Sequence, residues 1–423
     1  MEFFGTIPSE WNVTALKRVL SEPLKYGAVE PGDDSDPSNP RYLRITDFDG
    51  DGSLRDDTFV SLPEEIARHY YLRDGDVLFA RSGATVGKTF LFRNYSGRAC
   101  FAGYLIKAST ARHKLTPEFL TYFTRSPAYD AWKDSIFTQA TIQNIGADKY
   151  ARLPICLPPL PEQERIAAYL DASCAAVDAA VAAKRRQLDT LETLRKATLH
   201  AAFAKESWPV ERIKDVAMRI GSGVTPDGGA AGYLDEGIPL LRSQNVHFDG
   251  LRLDDVAFIS KETHAEMAGS QLKPRDVLLN ITGASIGRCT FVPENFGQGN
   301  VNQHVCFIRV NHQLDYRFLA AFLSSPLGQG QVFSSFTGAS RQGLSHKELG
   351  FISIPLPGLA DQRDTVDKIK QHDATQNQVR TSIETQIATL TAYRKSLIHE
   401  CVTGQRRVTE ADVRRVNIKD DVA

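Results

Sequence analysis

Apolar residues recur every three to four positions over two long stretches of this chain. The first stretch runs from about Glu162 to Phe203, with a stripe through Ile166, Leu170, Ser173, Val177 and Ala180, then Leu188, Leu191 and Leu194. The second passes through Ile369, Gln376, Ile383, Ile387, Leu390 and Leu397. This spacing predicts amphipathic helices, and Pro161 suits the first helical position, where its missing N–H costs nothing. Lys184, Asp373 and Gln376 interrupt the stripes. A helix of about 40 residues spans roughly 60 Å. With one narrow apolar stripe it needs a partner. Each helix is the nearest partner for the other, so an antiparallel pair with a coiled-coil-like register is expected. An ordinary core helix inside each domain is the competing expectation, and the length argues against it.

Ahead of each helix the pattern changes to short apolar runs broken by turn residues, and it does so twice. Trp11 to Val19 matches Trp208 to Val216, each a tryptophan followed by a short amphipathic segment. Tyr42-Leu43-Arg44-Ile45-Thr46-Asp47 matches Leu240-Leu241-Arg242-Ser243-Gln244-Asn245, a buried strand reaching a surface loop. Leu72 to Thr89 aligns with Leu272 to Cys289 without a gap. That stretch predicts a turn at Asp74-Gly75, a strand over Val77–Ala80, a tight glycine loop and a second strand over Thr89–Phe92. Further strands are expected at Tyr104–Ala108 and Val305–Val310. Short helices at Pro117–Phe123 and Tyr316–Phe322 precede Ser126-Pro127 and Ser325-Pro326. Polar loops follow from Phe137 to Asn144 and from Phe336 to Gly343. Leu157-Pro158-Pro159-Leu160-Pro161-Glu162-Gln163 and Leu356-Pro357-Gly358-Leu359-Ala360-Asp361-Gln362 then open the long helices. The chain is a duplicated unit. The expected parts are a domain over 1–157, a long helix over 158–204, a second domain over 205–356, a second helix over 357–404 and a charged tail over 405–423, either disordered or packed near the N-terminus.

Composition narrows the function classes. At 423 residues the chain holds two or three domains, and 42% hydrophobic with 24% charged residues is ordinary for a soluble protein. No signal peptide is expected at its start, and no apolar run is expected to cross a membrane. The six cysteines form no Cys-x-x-Cys pair, so a reduced, cytoplasmic setting is expected. A net charge of −1 argues against a protein that coats nucleic acid unaided, but leaves room for local basic patches or a cationic partner.

Catalytic patterns fail on spacing. Gly83-Ala84-Thr85-Val86-Gly87-Lys88-Thr89 has three residues before Gly-Lys where a phosphate loop needs four, and its counterpart ends Gly287-Arg288-Cys289. A tight hairpin turn is the better reading. Asn39-Pro40-Arg41-Tyr42 has arginine at the second proline of an adenine methyltransferase tetrad, and the glycine spacing of Phe296–Gly299 misses the cofactor loop. Zinc spacing and a nucleophile elbow are absent from the sequence. A duplicated nuclease or hydrolase would repeat acidic or nucleophilic residues in both halves, and no such set is evident.

The repeated polar loops suit DNA instead. Arg81, Ser82, Thr85 and Lys88 surround the first hairpin tip; Asn280, Thr282, Ser285 and Arg288 surround the second. Arg44 and Thr46 pair with Arg242, Gln244 and Asn245. Thr138, Gln139, Thr141, Gln143 and Asn144 match in place with Thr337, Ser340, Arg341 and Gln342. Amides suit adenine edges, arginine suits guanine, and hydroxyls suit phosphates. Clusters that recur in place while their side chains differ would suit two different short sequences.

These motifs resemble the specificity subunits of type I restriction–modification systems. The resemblance rests on Leu157–Ile166, the two polar loops, the Gly75-to-Gly83 hairpin and the opening Trp-x-Val, and covers the chain to about Gly404; Ala360-Asp361 departs from Pro161-Glu162. It implies an α+β chain of two tandem, pseudo-symmetric target recognition domains, each followed by a long helix, the helices pairing as an antiparallel coiled coil. It implies that each domain reads half of a bipartite double-stranded DNA target, with the helices as a ruler for the unread spacer. It implies a non-catalytic chain without a cofactor of its own. Two adenine methyltransferase subunits would bring S-adenosylmethionine, and restriction subunits would bring ATP and Mg. Tyr169, Leu188 and Tyr393 are the expected exposed partner-binding residues on the helices. An orphan DNA-binding or decoy protein of the same fold is the alternative.

Overall fold

The computed structural model describes residues 3–32, 34–49, 52, 54–137, 144–226, 229–334 and 343–420. It divides into two compact units. The first is Met1–Arg185 with Thr385–Ala423, and the second is the continuous segment Arg186–Glu384.

In the first unit the strands are β1 (Asn12–Ala15), β2 (Lys25–Tyr26), β3 (Arg41–Leu43), β4 (Asp76–Ala80), β5 (Thr89–Phe92), β6 (Ala99–Phe101), β7 (Leu105–Ala108) and β8 (Pro154–Leu157). An antiparallel sheet has the order β2-β7-β4-β5, and β3 pairs parallel with β6. β1 pairs antiparallel with β8, joining the start of the domain to the residues just before the long helix. All five residues of β4 are buried, as expected of a central strand covered on both faces. One face packs Val77 and Phe79 with Phe119, Leu120, Phe123, Trp132 and Tyr150. The other packs Leu78 and Ala80 with Leu43, Phe90 and Phe101.

The second unit repeats this plan. Its strands are β9 (Val210–Arg212), β10 (Ala217–Ser222), β11 (Ile238–Leu241), β12 (Val246–His247), β13 (Gly250–Leu251), β14 (Ala257–Ile259), β15 (Val277–Asn280), β16 (Cys289–Phe291), β17 (Asn300–Val301), β18 (Val305–Val310) and β19 (Ser353–Pro355). The sheet order β10-β18-β15-β16 matches that of the first unit, β11 pairs parallel with β17, and β9 pairs with β19. Val77 opposes Ala108 and Val277 opposes Ile308, so the gapless sequence match is also a match of strand register. In the second unit β14 lies on the far side of β11 and β12 pairs with β13, while the first unit has isolated bridges from Arg41 to Ser61 and from Phe48 to Leu54.

The long helices are Leu160–Phe203 and Leu359–Val402, each of 44 residues. Each contributes to both units. In the first unit, Ile166, Leu170 and Cys174 of the first helix share a core with Leu397, Ile398, Cys401 and Val402 of the second, and Asp178 pairs with Arg394 at 3.0 Å. In the second unit, Phe203 and Val366 join the domain core. There Glu192 meets Arg380 at 3.3 Å, Arg195 meets Asp373 at 3.1 Å and Thr198 meets His372 at 3.4 Å. Numbers rise on one helix as they fall on the other, so these segments run antiparallel.

Two expectations change, and one that was left open is decided. Tyr169 is not exposed: it is 6% accessible and packed in the first unit's core, with the Arg406 guanidinium over its ring. Of the two placements expected for the charged tail, packing near the N-terminus is the one found: Glu410–Asp420 is helical, Val408, Val413 and Val416 pack on the core that holds Phe4 and Trp11, and Arg407 pairs with Glu10 and Glu162. Finally, the first long helix does contain a stretch long and apolar enough to cross a membrane, with a mean hydropathy of 1.5. Alanines raise that value, and Asp171 and Asp178 interrupt the stretch. They accept a hydrogen bond from Tyr122 and pair with Arg394 respectively, while Ile166, Leu170 and Cys174 lie in the core.

Candidate nucleic-acid interface

Each unit carries a hairpin whose tip lies between the first two strands of the duplicated motif. After β4 the chain turns through Gly83–Thr85 and returns at β5. Gly83 has φ +77° and Gly283 φ +75°, with open space around both, so backbone conformation alone demands glycine there. The loop continues into a strand, where a phosphate loop continues into a helix; the tight-turn reading holds. The Gly87 carbonyl accepts from Tyr129 Oη at 2.8 Å, and the Gly287 carbonyl from Gln329 Nε2 at 2.9 Å.

Two backbone bonds pin the base of each hairpin. Arg81 N–H donates to the Tyr104 carbonyl (3.0 Å) and the Arg81 carbonyl accepts from Ile145 N–H (2.9 Å). Ile281 N–H donates to the His304 carbonyl (3.0 Å) and the Ile281 carbonyl accepts from Leu344 N–H (2.9 Å). Bridges from Ser82 to Asn144 and from Thr282 to Gly343 extend the same contact. The frame is therefore repeated while its side chains change.

In the first unit the frame gathers Arg81, Ser82 and Asn144 around a recess of about 320 Å³, with Tyr26, Val29 and Tyr104 on its walls. Tyr26, Val29 and Tyr104 are 42%, 91% and 69% exposed. The Arg81 guanidinium lies 4.8 Å from the centre of the Tyr26 ring. Thr85 is half-buried and Lys88 exposed on the hairpin. In the second unit the corresponding side chains form a chain of hydrogen bonds. Thr225 Oγ1 donates to Gln303 Oε1 (2.5 Å), Gln303 Nε2 faces His304 Nε2 (3.1 Å), and His304 Nδ1 faces Thr282 Oγ1 (2.5 Å). With the amide donating to Nε2, the proton sits on Nδ1 and is given to Thr282.

The second predicted cluster follows β3 and β11. Short turns over Ile45–Asp47 and Ser243–Asn245 are closed by side chains reaching back: Asp47 accepts from Arg44 N–H at 2.5 Å and Asn245 from Arg242 N–H at 2.9 Å. Arg44 also pairs with Asp47 at 3.2 Å. Thr46 and Gln244 are exposed, Gln244 donating to the Asp255 carboxylate at 2.5 Å. Arg242 donates to the Asp255 carbonyl at 3.0 Å.

Two residues expected to contact DNA are internal instead. Asn245 is 1% exposed, its amide used by Arg252 and Asp255 carbonyls, and Asn280 is 0% exposed. Asn280 Nδ2 donates to the Ser243 carbonyl at 2.7 Å and to Ser285 Oγ at 3.1 Å, tying hairpin to turn. Buried amides of this kind hold the frame and present no edge to a ligand. Arg288 is half-buried. Thr138, Gln139, Thr141, Gln143, Thr337, Ser340, Arg341 and Gln342 lie outside the described residues. Sequence reasoning missed Tyr26, Tyr104, Gln303 and His304. The one signal was an aromatic residue beside a glycine, at Tyr26-Gly27 and Gly103-Tyr104.

Among the described residues no group of three or more His, Cys, Asp or Glu side chains is gathered as around a metal ion. The six cysteines are unpaired and buried.

The family model for the type I restriction modification DNA specificity domain matches residues 8–191 and again 205–389. The specificity subunit of the type I restriction enzyme EcoBI from Escherichia coli is 24% identical over 67% of this chain and 65% of its own length; the chain thus spans just under two thirds of that relative. A putative MjaX specificity subunit from Methanocaldococcus jannaschii is 24% identical over 87% of this chain and 88% of its own. Among solved structures, a chain from work on complex assembly and conformational transition of the type I R-M system superposes with a TM-score of 0.77. It is 18% identical and covers 94% of this chain and 98% of its own. The HsdS subunit from Thermoanaerobacter tengcongensis gives a TM-score of 0.57 at 18% identity, over 95% and 98%. With two matches that together take in most of its length, this chain belongs to the type I restriction modification DNA specificity domain family.

Proposed function

We propose that this chain is the DNA-specificity subunit of a type I restriction–modification complex, and that its two units each read one half of a bipartite duplex target. The observation that carries this is the repeated frame around residues 81 and 281: the same backbone bonds, with arginine and tyrosines in one unit and a histidine–glutamine–threonine chain in the other. One frame with two chemistries suits two different short sequences. The length of the long helices would set the unread spacer.

Reading is the role of this chain, and catalysis belongs to its partners. Two adenine methyltransferase subunits would supply S-adenosylmethionine chemistry, and restriction subunits would supply ATP- and Mg-dependent translocation and cleavage. Tyr393, 49% exposed, and half-buried Leu188 are the helix positions offered to the methyltransferases. A complex that acts on host DNA would work in the cytoplasm and away from membranes.

The test is base-modification sequencing of host DNA with the gene intact, deleted, and carrying another such domain in place of residues 205–356. A split motif bearing N6-methyladenine, with one half altered by the replacement, is the expected result. Methylation unchanged by both replacement and deletion would reject the reading and leave a decoy or an enzyme.

A further inference from the structure

We propose that Tyr26, Arg81 and Tyr104 form a guanine-reading station in the first unit, and that the second unit reads its half through Gln303 and Thr282, held by His304 at the same place in the frame. The inference rests on the DNA-reading function proposed above and names the chemistry of its site.

The station is built by a tight crossing of the chain. Tyr26 opposes Ile106 in the β2–β7 pair, and the next residue must be glycine, because a Cβ on Gly27 would lie 2.2 Å from the Phe101 carbonyl oxygen. Ala28 N–H then donates to that carbonyl at 2.9 Å, and Gly103 N–H to the Ala28 carbonyl at 2.6 Å. This crossing brings Tyr26, Val29 and Tyr104 to the rim of one recess. The Tyr26 ring is fixed at its far end, where the hydroxyl accepts from Ala147 N–H at 2.9 Å.

Arg81 lies over that fixed ring. Its backbone is held on both sides by Tyr104 and Ile145, and its Nη1 reaches the Gly103 carbonyl only at 3.5 Å. A guanidinium stacked on an aromatic face keeps its in-plane N–H donors for a ligand. Two parallel donors match the O6 and N7 acceptors that guanine alone presents in the major groove. The exposed Tyr104 ring and Val29 supply apolar surface beside this fork, suited to the methyl group of a neighbouring thymine.

The second unit keeps the crossing and changes the station. Gly223 is required as Gly27 is, its Cβ falling 1.5 Å from the Val301 carbonyl oxygen. Ser222, opposite Cys306, stands where Tyr26 does. Ile281, 7% exposed, stands where Arg81 does, so the arginine fork is gone. The turn residue is now His304, oriented between Thr282 and Gln303. The two halves of the target should therefore differ in how they depend on a G·C pair.

The experiment uses the full complex and two readouts. In methylation mapping, the wild-type motif should hold a G·C pair in one half. Arg81→Lys, which keeps the charge and removes the fork, and Tyr26→Ala, which removes the shelf, should both relax that position and leave the other half intact. His304→Ala should relax the opposite half. In binding, wild-type complex should lose affinity by about 10- to 100-fold for duplex carrying 7-deazaguanine at that position; this arm needs no variant to fold. A bipartite motif that persists unchanged in both Arg81 and Tyr26 variants, or that tolerates 7-deazaguanine throughout, overturns the station while leaving the DNA-reading function standing. Absence of any gene-dependent bipartite methylation in the wild type overturns both.

Discussion

Gln163 and Gln362 make the same three hydrogen bonds at the heads of the two long helices. Gln163 Oε1 accepts from Thr116 N–H at 2.9 Å, while its Nε2 donates to the Lys114 and Pro158 carbonyls at 2.8 and 2.9 Å. Gln362 Oε1 accepts from Asp315 N–H at 2.8 Å, and its Nε2 donates to the Gln313 and Pro357 carbonyls at 2.9 and 2.8 Å. Both amides are fully buried. Each glutamine thus joins the first turn of its long helix to the loop before a short domain helix. Replacing either with leucine strands a buried N–H and two carbonyls, at about 1–3 kcal/mol for each unsatisfied group. Gln163→Leu should lower hydrogen-exchange protection in the first unit and Gln362→Leu in the second. Unchanged exchange in both variants would show that water replaces the amide.

Gln376 predicts the opposite sign. It lies three residues after Asp373 and four before Arg380, both paired with the first long helix, so it faces that helix. It is 8% exposed and its Nε2 has no partner among the described residues. Gln376→Leu should stabilise the second unit by about 1 kcal/mol, seen as a higher denaturant midpoint. A lower midpoint would mean that a water occupies the seam.

Arg309 forms two hydrogen bonds to Asp276, at 2.8 and 2.7 Å, and Asp276 is fully buried. Arg309→Ala would leave that carboxylate without its cation, at about 3–5 kcal/mol. The double variant with Asp276→Asn should recover part of the loss, which thermal unfolding can measure.

The tail predicts a truncation effect confined to one unit. Ending the chain after Gly404 removes Val408, 4% exposed, together with the Arg407 pairs. Burial of one valine is worth about 1.5–3 kcal/mol. Hydrogen exchange should rise in the first unit and stay unchanged in the second.

Glu22 gives a pH dependence. Lys25 first, then Lys107 and Ser109, hold its carboxyl down from 4.5 to about 2 against an upward push from burial. A depressed carboxylate stabilises the folded state above its unfolded value, and that stability is lost as pH falls from about 4.5 towards 2. Glu22→Gln should therefore be less stable than wild type at neutral pH and equal to it near pH 2. Parallel curves across this range in acid titrations would refute the assignment.

The duplication, the hairpins and the helices were legible because each leaves a periodic or repeated trace. Val77 and Val277 occupy the same register in both sequence and sheet. The site was legible only as a neighbourhood. Arg81 and Thr282 were found because hairpin tips are polar, but Asn280, one residue before the position equivalent to Arg81, is a frame amide. Side-chain direction alternates along a strand, and residue type alone does not say which asparagine faces inward. Tyr26 and Tyr104 escaped notice because an isolated tyrosine reads as core; only the glycine crossings push them to the rim. Tyr169 failed the other way, since a helix stripe does not show how wide the covering core is.

The first unit closes only when Leu397–Val402 joins residues near the N-terminus, whereas the second is one unbroken segment. During synthesis, Arg186–Glu384 emerges whole before the last part of the first unit leaves the ribosome. The usual order, N-terminal domain first, is therefore reversed: the earlier-made half waits on the later one. A chain stalled once Glu384 has cleared the ribosome would hold a closed second unit and an open first one. No half-made chain can hold both units closed at once.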